Sequence, residues 1–119
     1  MYTFRLSKTA TKTWSEAKKI CQSNGGNLFE PRSSFQSNAV FDEVRKIHKV
    51  IGIWIGLTDT ASEGNWRYAS DGSKVVYTNW NSDEPNNDGG DEDCAIMHTG
   101  FRHWFDYSCE VKDFFLCQF

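Results

Sequence analysis

The sequence has no apolar run approaching the roughly 20 residues needed to cross a bilayer. Met1-Tyr2-Thr3-Phe4-Arg5 has no apolar h-region behind it, so the start does not read as a signal peptide. There is no basic excess: 13 Lys and Arg against 16 Asp and Glu give a formal net charge of −3. That balance argues against a nucleic-acid interface and against a polybasic membrane patch. Catalytic signatures are missing too, with no H-E-x-x-H, no G-x-S-x-G, no phosphate loop, and no Ser or Cys paired with a His. Paired carboxylates or a metal-bound water could serve a glycosidase or hydrolase, but with these absences an enzyme is not expected. His48, His98 and His103 fall at no metal-ligand spacing, and His48 reads as a surface residue. The four cysteines form no C-x-x-C, which excludes the usual zinc and redox motifs. No repeat, linker or low-complexity segment is visible, and 119 residues amount to one domain by length, 1–119.

What the chain does have is an acidic, amide-rich stretch: Glu84-Pro85-Asn86-Asn87-Asp88-Gly89-Gly90-Asp91-Glu92-Asp93, followed at once by Cys94. So many side-chain oxygens in one short loop repel one another unless a cation sits among them. Oxygen ligands without thiolate or imidazole favour Ca²⁺, which takes six to eight of them, over zinc or copper. The run is not an EF-hand, because from Asp83 onward the glycine and the final glutamate fall out of register. Asp88 and Asp91 are expected to be solvated.

Four cysteines permit three pairings. The pairing expected is Cys21–Cys117, tying the two ends, with Cys94–Cys109 closing a short loop behind the acidic stretch. In the chain-entropy model the short bridge contributes roughly 3 kcal/mol and the long one nearly 5. Such bridges imply an oxidising compartment, hence a secreted, extracellular protein.

Along the chain, Tyr2 to Leu6 alternates like a strand. Thr13-Trp14-Ser15-Glu16 has the form of a capping box, and Trp14, Ala17, Ile20 and Cys21 follow at helical spacing until Gly25-Gly26. Asn27-Leu28-Phe29 is a short strand before Pro31. A second helix opens after Ser33-Ser34, buries Val40, Phe41, Val44 and Ile47, and is expected to end at Gly52. Ile53-Trp54-Ile55-Gly56-Leu57 reads as a buried strand whose glycine admits another backbone. From Thr58 to Cys94 a long loop carries short aromatic strands around Trp66-Arg67-Tyr68 and Val75-Val76-Tyr77; loops of this length in small domains are usually functional. Ala95-Ile96-Met97, Trp104 to Cys109 and Phe114 to Cys117 complete the strands, with a turn at Gly100. One strand, two helices and then several strands make an α+β fold.

Trp54-Ile55-Gly56-Leu57, Glu84-Pro85-Asn86, Glu92-Asp93-Cys94, Trp104-Phe105-Asp106 and Phe115-Leu116-Cys117 together resemble a C-type lectin-like carbohydrate-recognition domain of the short form. The match runs from Tyr2 to Phe119 and keeps the order and spacing of all four cysteines. The resemblance implies a double-loop fold of two helices and two small antiparallel sheets, with a long calcium-binding loop. It also implies a sugar-site Ca²⁺ held by Glu84, Asn86, Glu92 and Asp106, with Pro85 cis so that its neighbours aim at one ion. An accessory Ca²⁺ would be held by Asp59, Glu63, Asn87, Glu92 and Asp93, Glu92 bridging both sites.

The Glu-then-Asn order resembles binders of mannose, fucose, glucose and N-acetylglucosamine, and its reverse goes with galactose. The partners implied are therefore mannose-type sugars and glycans on cell or microbial surfaces, recognised or agglutinated in innate immunity by a self-associating protein. Phe105 is the departure, because the family pattern places there an Asn that supplies an oxygen to the metal and a donor to the sugar. Phe105 and Tyr107 are candidates for an apolar contact with the sugar ring, and Trp104 reads as core. The alternative implied is a lectin-like domain that binds a protein or another non-sugar ligand.

Overall fold

The computed structural model describes residues 3–47, 50–82, 84 and 92–119. Nine elements follow in chain order: β1 (Phe4–Leu6), α1 (Trp14–Ser23), β2 (Asn27–Leu28), α2 (Ser34–Val44), β3 (Gly52–Thr58), β4 (Arg67–Tyr68), β5 (Cys94–His98), β6 (His103–Tyr107) and β7 (Phe114–Gln118). The strands run β1-β7-β3-β5-β6, with β2 added to β7 and β4 to β3. The neighbours pair antiparallel except β3 and β7, whose parallel pairing of Ile53 with Phe114 and Trp54 with Phe115 joins the two expected sheets.

Side chains alternate across a strand, and that alternation divides the core in two. Ile53, Ile55, Leu57, Ala95, Met97, Phe114 and Leu116 face α2 and the aromatics of the long loop. Trp54, Cys94, Ile96, Phe115 and Cys117 face α1. β3 is covered on both faces, which explains its nearly unbroken apolar run. Gly56 accepts the close approach expected of it. Its amide donates to the Phe29 carbonyl at 2.7 Å, and a Cβ there would lie 2.9 Å from the Leu28 carbonyl oxygen.

Helix α1 starts with the capping box read from the sequence: the Glu16 amide donates to the Thr13 hydroxyl, and the Thr13 amide donates to Glu16. Its indole Trp14 Nε1–H donates to the Ile55 carbonyl at 2.8 Å, and Trp54 Nε1–H donates back to Lys12 at 3.1 Å. The disulfides are Cys21–Cys117 and Cys94–Cys109, as expected.

Two expectations fail. Helix α2 stops at Val44 rather than near Gly52, leaving Ile47 39% exposed. The chain turns through Ile47 N–H to Val44 and Val50 N–H to Ile47, which buries Val50 and frees Gly52 to begin β3. Residues Val75–Tyr77 form no strand. Arg67 and Lys74 share one isolated bridge, Val75 is buried, and Val76 stands 87% exposed.

Candidate functional site

Two groups of carboxylates gather where β3 and β5 meet and where β6 ends. The first begins one residue past β3. Thr58 Oγ1 donates to the Asp93 carbonyl at 2.7 Å and the Asp59 amide donates to the same oxygen at 3.1 Å, so the end of β3 is tied to the start of β5. The chain then curls over Asp59: the Ser62 amide donates to the Asp59 carbonyl, and the Gly64 amide donates to Asp59 Oδ2 at 2.8 Å. Gly64 takes φ +79°, a left-handed conformation that a side chain would disfavour.

This places one oxygen from each of Asp59, Glu63 and Asp93 within 4.8 Å of one another, a group that could hold a metal ion. Asp59 is only 2% exposed. Burial, with the Glu63 and Asp93 carboxylates beside it, pushes its acid up to about 7, against the pull of the Gly64 amide. Asp59 Oδ1 and Asp93 Oδ1 are buried and receive no donor among the described residues.

The second group is set by the aromatic floor of the long loop. Trp80 packs on Trp66 at 4.8 Å and edge-on to Trp104 at 5.6 Å, and Tyr77 meets Trp104 at 5.7 Å. Backbone bonds from Trp104 N–H to Asn79 and Asn81 N–H to Trp104 lay residues 79–81 along β6, and Glu84 N–H donates back to Asn81. Glu84 thereby reaches Asp106, which is buried on the same face of β6 as Trp104. Burial pushes the Glu84 acid up to about 8, helped by Asp106 and the charge of Glu92. Glu84 Oε2 is buried and receives no donor among the described residues. The pairing of Cys94 with Tyr107 and Ala95 with Asp106 sets β5 beside this group, and the charge of Glu92 just ahead of that strand acts on Glu84.

The structure thus brings together Asp59, Glu63 and Asp93, and separately Glu84, Glu92 and Asp106. Pro85, Asn86 and Asn87 lie outside the described residues, as do Asp88 and Asp91. Carboxylates crowded together with buried, donorless oxygens suit a hard cation that binds oxygen, and among the described residues the metal-capable group is made of carboxylates alone. The residues present therefore fit Ca²⁺. Phe105 and Tyr107 are placed on the other face of β6, turned away from Asp106 and Glu84. Phe105 packs with His98 at 5.6 Å and Phe101 at 6.0 Å, and Tyr107 packs edge-on to Trp54 at 6.3 Å. The alternation of Trp104-Phe105-Asp106 along a strand already carried that signal. Sequence reasoning missed Glu30, a buried carboxylate at the base of the long loop that accepts from Ser70 N–H, Ser70 Oγ–H and Arg32.

Residues 10–119 match the Lectin C-type domain family. Over 110 residues the chain is 40% identical to human C-type lectin domain family 17, member A, covering 92% of this chain and 27% of that protein. The chain thus spans little more than a quarter of that curated relative. The C-type lectin CEL-I from Cucumaria echinata superposes with a TM-score of 0.90 at 28% identity, covering 98% of this chain and 89% of the other. The cow C-type carbohydrate-recognition domain of CD23, solved in the presence of GlcNAc2Man3 oligosaccharide, superposes with a TM-score of 0.87 at 26% identity, covering 99% and 87%.

Proposed function

This chain belongs to the C-type lectin domain family, and from that premise we propose that it binds sugars in a calcium-dependent way through the loop side of its sheet. It is a binding domain and not an enzyme. The observation that carries the proposal is the pair of carboxylate groups whose buried oxygens, Glu84 Oε2, Asp59 Oδ1 and Asp93 Oδ1, receive no donor among the described residues. Glu84, Asn86, Glu92 and Asp106 would hold the sugar-site ion, and Asp59, Glu63, Asn87, Glu92 and Asp93 the accessory one. Calcium there would supply the positive charge that lets these carboxylates converge and open coordination positions for two vicinal hydroxyls.

The chain's own residues would then orient the sugar. Glu84 and Glu92 accept from its hydroxyls while the Asn86 amide donates, through charge-assisted bonds about twice as strong as neutral ones. The Glu-Pro-Asn order favours mannose-type sugars, in keeping with the oligosaccharide present with the cow domain. A single exposed sugar buries little surface, so strong attachment to glycosylated or microbial surfaces would come from self-association and multivalency. The two disulfides fit a secreted protein, and among the described residues no helix is long and apolar enough to cross a membrane. Residues 1–119 act as one recognition domain on this reading.

Binding to immobilised mannose should vanish in a calcium chelator, and retention there sinks the mechanism. The double substitution Glu84→Gln, Asn86→Asp should shift preference toward galactose; an unchanged sugar profile means these residues do not contact ligand. Phe105, standing where an Asn would serve metal and sugar, favours a second reading in which the loop grips a protein instead. An empty glycan array with intact calcium binding would select it.

A further inference from the structure

The sheet face opposite the carboxylates is only partly covered by α1. Beyond its edge a recess of about 360 Å³ is lined by Ile51, Gly52, Ile96, His98, Tyr107 and Asp113, with Ala10 and Phe114 at its margin. That volume is in the range of small-molecule sites, about 300–1,000 Å³. Strand register explains how it forms. Gly52 begins β3 and pairs with His98 on one side, while Asp113 precedes β7 on the other, so a carboxylate and an imidazole flank a position with no side chain. A Cβ on Gly52 would lie 2.7 Å from Asp113 Oδ2, so the glycine is what leaves the recess open.

The polar groups around it are defined. His98 Nδ1 accepts from the Gly100 and Phe101 amides, each at 3.1 Å, so in the neutral ring the proton sits on Nε2 and that atom donates. Burial lowers the His98 pKa, which favours the neutral ring. Asp113 Oδ1 accepts from Phe114 N–H at 2.9 Å, and Asp113 makes no ion pair among the described residues. Aromatic surface stands beside these groups. His98 stacks on Phe101 at 4.5 Å and contacts Phe105, while Tyr107 and Phe101 are 37% and 61% exposed. The combination of an acceptor, a donor, a phenol and an apolar wall suits a neutral molecule with one apolar face and several hydroxyls.

We propose that this recess is a second saccharide site, independent of calcium, that seats the apolar face of a neutral pyranose against Tyr107 and His98 while its hydroxyls donate to Asp113 and accept from His98 Nε2–H. It shares no group with the carboxylate clusters except the strand β6 that Tyr107 and Asp106 have in common, and it does not depend on the loop site binding sugar.

The test is chemical-shift NMR on the intact protein in excess chelator, with the methyl glycosides of mannose, glucose and galactose as probes at millimolar concentrations. At least one glycoside is expected to shift the resonances of His98 and Tyr107 together. Asp113→Asn keeps the shape of the side chain and should weaken that binding by about tenfold, the loss of one charge-assisted bond. Gly52→Ala should abolish it by filling the floor. Both variants should leave chelator-sensitive binding as in the parent. Absence of His98 and Tyr107 shifts with all three glycosides overturns the proposal, and so does chelator-resistant binding that neither variant changes. Failure of the loop-site reading shows instead as the loss of the chelator-sensitive component alone.

Discussion

Glu30, only 3% exposed, and Glu84, half-buried with one carboxylate oxygen fully covered, both stand beside the long loop, and the molecule treats them in opposite ways. Glu30 is surrounded by donors: Ser70 N–H and Oγ–H at 2.8 Å each and Arg32 at 2.9 Å, with the guanidinium lying 4.0 Å over the Tyr68 ring. Glu84 is surrounded by acids, with Asp106 and Glu92 beside it and one oxygen without a donor among the described residues. Burial of charge is costly unless it is paired. Glu30 meets that condition within the chain, whereas on the proposed reading Glu84 and Asp59 would meet it through a cation from outside. Glu30 and Asp59 are equally buried, at 3% and 2% exposed, so it is their neighbours that separate them.

Removing Glu30 is the largest way to break this comparison. Glu30→Ala leaves both Ser70 donors without their acceptor, while Arg32, 42% exposed, keeps Asp71, and should lower stability by about 1–3 kcal/mol. A chemical denaturation series should show the same loss with and without calcium. Asp59→Asn should behave in reverse, leaving the calcium-free protein as stable as the parent or more so while erasing the stabilisation that added calcium produces. If both variants respond to calcium alike, the distinction between the two kinds of carboxylate fails.

Acidity sharpens the same contrast. In the calcium-free fold, Asp59 and Glu84 hold their protons up to about 7 and about 8, well above ordinary carboxyl values near 4. The folded state then binds more protons than the unfolded one across that interval. Its stability is therefore full below the ordinary pKa and falls as pH rises toward 8. With saturating calcium the slope should invert, because ligation requires deprotonated oxygens. Urea midpoints measured from pH 5 to 8 in each condition check this, and parallel curves would show that these acids do not bind the ion. The smallest expected effect is that of Phe105→Ala. Its ring lies on the opposite face, so calcium affinity by titration calorimetry should match the parent. A marked change would place Phe105 in the metal site after all.

Much of this fold was legible because short-range rules were obeyed. The Thr13–Glu16 cap, the continuous apolar run of Ile53 to Leu57 and the clearance at Gly56 each depend on near neighbours or on a single close contact. Where the outcome depended on distant partners, the sequence misled. The apolar spacing that reached Ile47 continued a helical pattern, but burying Val50 and starting β3 at Gly52 won over another helical turn. Val75–Tyr77 has strand-forming residues, yet the bridge to β4 is made by Lys74 just before it, so propensity found too little ladder to join. At the site, the acidic character of Asp59, Glu63, Glu84, Glu92, Asp93 and Asp106 was visible in composition. Their separation into two groups could be read only through the family resemblance and not from composition, because it comes from the register of β5 with β6 and the tie between Thr58 and Asp93. Glu30 gave little local sign of its role, since of its donors only Arg32 is near in sequence and the two from Ser70 lie 40 residues on.

The hydrogen bonds from Thr58 and Asp59 to the Asp93 carbonyl have a wider consequence. Asp59, Asp93 and Asp106 sit at the ends of β3, β5 and β6, so their positions descend from the sheet and not from the stretch between Glu84 and Glu92. The strand ends thus form a fixed socket: substitutions elsewhere in the chain that spare the sheet register would leave these three carboxylates where the strands put them.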